Sequence, residues 1–150
     1  MPVFTVAGSR EFDFWLLDGQ PDFATIPGGV FDDFNQDMPI RLQNGNNWFG
    51  MRHIQRRHNH WVIKQEQSGC AATLLHRKLS QSGKMHIEDD DKYLIAMRLA
   101  PEAVVILKHI PKQAFFTVVT MYFRQGPING EEIGRYLGYD WATSPYRKWG

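Results

Sequence analysis

Hydrophobic and polar positions change period along this chain. Up to about residue 43 the apolar residues fall in short runs separated by Gly19-Gln20-Pro21 and Pro27-Gly28-Gly29. This predicts small strands at about 3–6, 11–17 and 38–43 joined by turns, with Phe and Trp as their buried residues. From Gly50 the spacing becomes helical. Met51, Ile54, His58 and Trp61 recur with no Pro or Gly between them, which predicts a helix over about 50–61. A second helix is expected over about 70–79. The runs 93–99, 103–110 and 115–124 are then rich in β-branched and aromatic residues, with Pro101 and Pro111 between them, and predict an antiparallel meander. A last short helix is expected at 130–138, started by Asn129-Gly130-Glu131-Glu132, ahead of an aromatic tail with Trp141, Tyr146 and Trp149. Helices placed before a run of antiparallel strands point to an α+β domain.

The length of 150 residues suits one domain spanning 1–150, and the balance of 43% hydrophobic and 22% charged residues is that of a globular chain. No repeat or low-complexity tract divides it. The single cysteine, Cys70, excludes an internal disulfide and a cysteine-rich zinc module. No segment approaches the roughly 20 apolar residues of a membrane span, so no membrane partner is expected. The N-terminus lacks the basic start and apolar run of a signal peptide. The expectation is a domain carried by a larger secreted or cell-surface protein, or an independently encoded cytoplasmic one.

Charge changes the picture, because a formal net charge of +1 conceals an asymmetry. Residues 1–40 hold one Arg against seven acidic residues; residues 41–86 hold eight Lys or Arg against Glu66 alone, and five of the six histidines. A cationic, histidine-rich zone inside a near-neutral protein points to an anionic ligand handled locally, phosphate being the commonest.

That zone is densest at Gly50-Met51-Arg52-His53-Ile54-Gln55-Arg56-Arg57-His58-Asn59-His60-Trp61. On a helix, His53, Arg56, Arg57 and His60 gather on one side and Met51, Ile54 and Trp61 on the other, with His58 at the apolar edge. Imidazole and guanidinium on one face supply proton transfer near neutral pH and fixed positive charge for an oxyanion. That is equipment for cleaving a phosphodiester without a metal. The same spacing also reads as a solvated basic face with His58 a core histidine. A second candidate is the strand at 115–124, where Phe116, Val118, Thr120, Tyr122 and Arg124 share one face that ends in a hydroxyl, a phenol and a guanidinium. It reads equally as an ordinary strand whose polar end meets water.

Other chemistries fit less well. The spacing of His53, His58 and His60 is neither a helical zinc pair nor a finger. Glu88-Asp89-Asp90-Asp91 cannot all converge on one cation. No phosphate-binding glycine loop is present, and Cys70 sits in an apolar helical context that does not favour a thiolate. Neither a metal nor a cofactor is therefore expected.

Taken together, Pro39-Ile40-Arg41-Leu42, Asn44-Gly45-Asn46 and Gly50-Met51-Arg52-His53-Ile54-Gln55-Arg56-Arg57-His58 resemble the Gly-x-x-His-Ile-x-x-x-His helix of barnase/EndoU/colicin/RelE-like nuclease domains. Such domains end contact-dependent inhibition toxins, other polymorphic bacterial toxins and some phage proteins. Thr117-Val118-Val119-Thr120-Met121-Tyr122 is similar to their closing strand, and the resemblance spans about 39–124.

The resemblance implies a twisted antiparallel sheet with helices packed on one face, acting as a metal-independent ribonuclease, often on tRNA. Attack of a ribose 2′-OH would give a 2′,3′-cyclic phosphate. Carried over by position, His53 and His58 match the motif histidines, Arg57 the basic residue before the second, and Thr120 and Tyr122 the closing strand. One histidine would be general base and another group general acid. Arg57 would stabilise phosphate charge, and Thr120 and Tyr122 would position its oxygens. Arg56, His60, Lys64 and Arg124 are candidate substrate-binding residues, with Lys84 and Tyr146 in reserve. A cognate immunity protein is the implied partner beside RNA, and the target is the cytoplasm of another bacterium. Helical periodicity separates His53 from His58 by about 140°, which groups His53 better with Arg57. A nucleic-acid-binding module without catalysis, or a transferase such as an ADP-ribosyltransferase, are the alternatives.

Overall fold

A computed structural model describes residues 2–29, 35–88, 91–99, 102–128 and 130–138. In chain order the elements are β1 (Phe4–Val6), β2 (Trp15–Leu17), β3 (Asp22–Ile26), β4 (Met38–Arg41), α1 (Gly50–Arg57), α2 (Asn59–Gln65), α3 (Ala71–Leu79), β5 (Gly83–Glu88), β6 (Asp91–Leu99), β7 (Ala103–Ile110), β8 (Phe115–Phe123) and β9 (Glu132–Tyr136). The architecture is α+β. Seven strands in the order β3-β4-β8-β7-β6-β5-β9 form one sheet, and β1-β2 form a separate hairpin.

The expected meander is present. β6 pairs antiparallel with β7 from Leu94 opposite Lys108 to Leu99 opposite Ala103, and β7 with β8 from Ala103 opposite Phe123 to Ile110 opposite Phe115. A bulge inserts Val119 into β8, between the Ile106–Thr120 and Leu107–Val118 pairs. The pairing of β4 with β8 is parallel, Ile40 opposite Phe116 and Arg41 opposite Thr117, whereas the other pairs are antiparallel.

Two expectations need correction. Residues 130–138 are not a helix: Glu132–Tyr136 is a strand that covers the edge of β5, with Met85 opposite Gly134. Gly134 is a poor helix residue, and pairing with β5 supplies backbone partners that Glu131-Glu132 at a helix start could not outweigh. The helix expected over 50–61 is two helices broken at His58, whose φ of −124° and ψ of 17° leave the helical range. The aromatic tail, including Tyr146, lies outside the described residues.

All three helices feed the larger of two apolar clusters. Met51 and Ile54 of α1, Val62 of α2 and Leu74, Leu75 and Leu79 of α3 meet Ile40, Leu42, Val105, Leu107, Val118 and Met121. Each fully buried Leu, Ile or Val contributes about 1.5–3 kcal/mol. The alternate residues Ala96, Val104 and Ile106 form a smaller cluster, joined by Leu94, Val119 and Tyr122. Among the described residues no helix is long and apolar enough to cross a membrane.

Candidate functional site

The site begins with how α1 is launched. Its N-cap residue, Phe49, makes no side-chain cap. The first amides are satisfied instead by the chain leaving β4: Met51 N–H donates to the Gln43 carbonyl at 3.0 Å and Arg52 N–H to the Asn44 carbonyl at 2.8 Å. The loop between must therefore double back. Gly45 makes that possible with a φ of +72° and so close an approach that a Cβ there would lie 1.8 Å from the Phe49 carbonyl oxygen. Buried Asn44 locks the loop to the N-terminal segment. Its Oδ1 accepts from Trp15 Nε1 at 3.0 Å, and its Nδ2 donates to the carbonyls of Gly8 and Arg10 at 2.8 and 2.9 Å. Arg52 adds donations to the carbonyls of Gly45 and Ser9. Part of the basic zone thus fastens the frame.

On this frame three rings come together. The His53 and His58 ring centroids lie 5.7 Å apart, nearly edge to face, and His58 and Tyr122 lie 5.6 Å apart, tilted by 30°. The two histidine rings thus meet although helical periodicity separates their positions, with His58 closing the last turn of α1 through its N–H on the Ile54 carbonyl. Gln55 spans the break between α1 and α2, donating to Asn59 Oδ1 at 2.9 Å and accepting from Ala71 N–H at 2.9 Å, so α1, α2 and α3 are tied at the same point. β4 leaves β8 after Thr117, and α1 packs against β8.

The tautomer of His53 follows from its partner. Nδ1 lies 2.9 Å from the Asn47 carbonyl oxygen. A carbonyl only accepts, so Nδ1 carries the hydrogen and Nε2 is left to exchange a proton. Asn47 also accepts from Arg56 Nη1 through its side-chain oxygen at 2.6 Å, so one residue orients both groups. His58 is half-buried. Burial, then the charges of His53 and Arg57, hold its pKa below the usual histidine value of 6.5.

Thr120 lies two residues before Tyr122 on β8. Its Oγ1 is buried and has no hydrogen-bond partner among the described residues, which leaves the hydroxyl free of competing protein contacts there. Arg57 is exposed at the end of α1. Among the described residues the ion pairs are Arg41–Asp22, Arg77–Glu66 and Lys84–Glu132. The guanidinium groups of α1 are in none of them.

The other candidates are more scattered. Arg124 follows β8; its backbone N–H donates to the Glu102 carbonyl, and its own carbonyl accepts from Arg98 at 3.1 Å. His60 and Lys64 are exposed on α2. Lys84 lies on β5, three strands from β8, and is paired with Glu132. Sequence reasoning missed Asn47 and Gln55. Only the Asn44-Gly45-Asn46 turn signal pointed toward the first. Among the described residues no three His, Cys, Asp or Glu side chains converge as a metal site. Comparison with protein-family models, curated proteins and solved structures returns no match.

Proposed function

We propose that this chain is a metal-independent ribonuclease of the bacterial toxin type, cutting structured RNA such as tRNA by 2′-OH transesterification. The observation that carries the reading is the joining of His53, His58 and Tyr122 in one ring cluster, with Arg57 beside it. His58, whose depressed pKa keeps it neutral near pH 7, takes the proton from the ribose 2′-OH. The 2′ oxygen then bonds to phosphorus and the bond to the 5′ oxygen breaks. The protonated form of His53 gives its Nε2 proton to that leaving oxygen, while the Asn47 carbonyl holds the other end of the ring. Arg57 and Arg56 offset charge on the phosphate, and Thr120 and Tyr122 orient its oxygens. An immunity protein covering this cationic patch would silence it.

The test is purified protein with total bacterial RNA in EDTA. The expected products are discrete fragments ending in 2′,3′-cyclic phosphate and 5′-OH. Intact RNA in EDTA, or cleavage that leaves 3′-OH ends, refutes the reading.

The pH profile of kcat/KM supplies a sharper check. A base with a lowered pKa puts the acidic limb below pH 6.5, with the rate rising as His58 loses its proton. Arg57→Gln removes one of the causes that depress His58, so its limb should move upward by a fraction of a pH unit while the plateau falls. A limb that stays in place, or moves to lower pH, would show that Arg57 does not act on the titrating group.

A further inference from the structure

On the side of β6–β8 that carries the smaller apolar cluster lies a groove of about 840 Å³. Phe12, Phe49 and Trp48 line its mouth, and Thr117 and Val119 belong to its β8 wall. Trp48 is 81% exposed and Phe12 64%. Phe12 and Phe49 stack on one another with centroids 6.0 Å apart. Two lysines, Lys108 and Lys112, stand on the same wall system, and among the described residues no carboxylate lines it. Its polar floor is the Thr117 hydroxyl, which donates to Gln43 Oε1 at 2.7 Å.

The placement follows from the chain. Trp48 is the residue after Asn47, whose carbonyl holds His53. Val119 precedes Tyr122 by three residues, roughly 10 Å along an extended strand. Flat aromatic faces left open to solvent and flanked by cations match a ligand that is planar and apolar in one part and anionic in the next. An unpaired nucleotide of a single-stranded nucleic acid has that composition.

We infer that this groove is a base-binding subsite, in which Trp48 and Phe12 stack on an unpaired base adjoining the cleaved phosphate and Lys108 and Lys112 neutralise neighbouring phosphates. It rests on the ribonuclease reading and adds a requirement, that the RNA be single-stranded at this step.

The probe is an end-labelled 2′-O-methyl RNA octamer, which has no free 2′-OH to react, followed by fluorescence anisotropy. Trp48→Ala should weaken binding about tenfold or more. The double variant Lys108→Ala/Lys112→Ala should weaken it too, and flatten the slope of log affinity against log salt by about 1.4. All three positions are exposed, so the fold is not at stake in either variant. Failure of the wild type to bind the octamer, or unchanged affinity in both variants, overturns the subsite and leaves the groove to a protein partner. Wild-type RNA cleavage is measured alongside. Cleavage with unchanged affinities discards the subsite alone, whereas weakened variants with no wild-type cleavage keep a nucleic-acid site and discard the reaction.

Discussion

Replacing His53 with alanine is expected to slow RNA cleavage by about 10²–10⁴-fold, the usual contribution of a positioned proton-transfer group, while leaving the protein folded. His53 is half-exposed on α1 and belongs to neither apolar cluster. Among the described residues its ring makes one hydrogen bond, to the Asn47 carbonyl. Thermal unfolding should therefore change little, and a circular dichroism spectrum not at all. His58→Gln should match the loss in rate, since it removes the ring that sits between His53 and Tyr122. The double variant should lose little more than either single one, because a base and an acid that serve the same displacement act as a unit. Cleavage by folded His53→Ala within a few-fold of wild type would remove this cluster from the mechanism.

The second large effect is on stability. Gly45→Ala should destabilise the protein by at least about 2 kcal/mol: about 1–2 kcal/mol for a side chain at positive φ, with the remainder from displaced backbone. The added Cβ would meet the Phe49 carbonyl oxygen at 1.8 Å and the Gly50 Cα at 2.9 Å, and none of these backbone atoms can rotate away. At this chain length the unfolding temperature should fall by about 4–8 °C. Gly19→Ala is the control. It has a similar φ of +82° but nothing within 4 Å of the added atom, so it reports conformational strain without the clash. Equal losses in the two variants would mean that the doubled-back loop does not depend on close contact at Gly45. Gly45→Ala should also lose activity beyond its loss of stability, because Asn47 rides on the same loop.

The fold was legible where the pattern is local and strong. Met51 and Ile54 against Arg56 and Arg57 mark α1, and the three late runs mark β6, β7 and β8. β3 was missed because Phe23-Ala24-Thr25-Ile26 is boxed in by Pro21 and Pro27. β5 was missed because Lys84, His86 and Glu88 dilute a strand in which Met85 supplies the fully buried apolar residue. β9 was misread because its character comes from the open edge of β5, which no local window contains. The site was legible as a list of residue types and not as a geometry. Helical periodicity put His53 and His58 on different faces, and nothing in Arg57-His58-Asn59 announces the break between α1 and α2. The meeting of His58 with Tyr122 depends on β8 lying beside α1, a relation between distant segments.

The parallel pairing of β4 with β8 sets the order in which the molecule can assemble. Gln43 and Thr117, which bond where those strands meet, are 74 residues apart. The chain must close that loop before α1 and the far half of β8 face each other, and long-range pairing of this kind is slow relative to forming hairpins or helices. His58 and Tyr122 cannot meet in a half-folded chain that has made only its local contacts. Any chemistry that needs both rings is silent in an unfolded or partly folded protein and arrives with the last long-range step. Refolding from urea should then show recovery of activity in phase with the slowest tertiary signal, with no early active species.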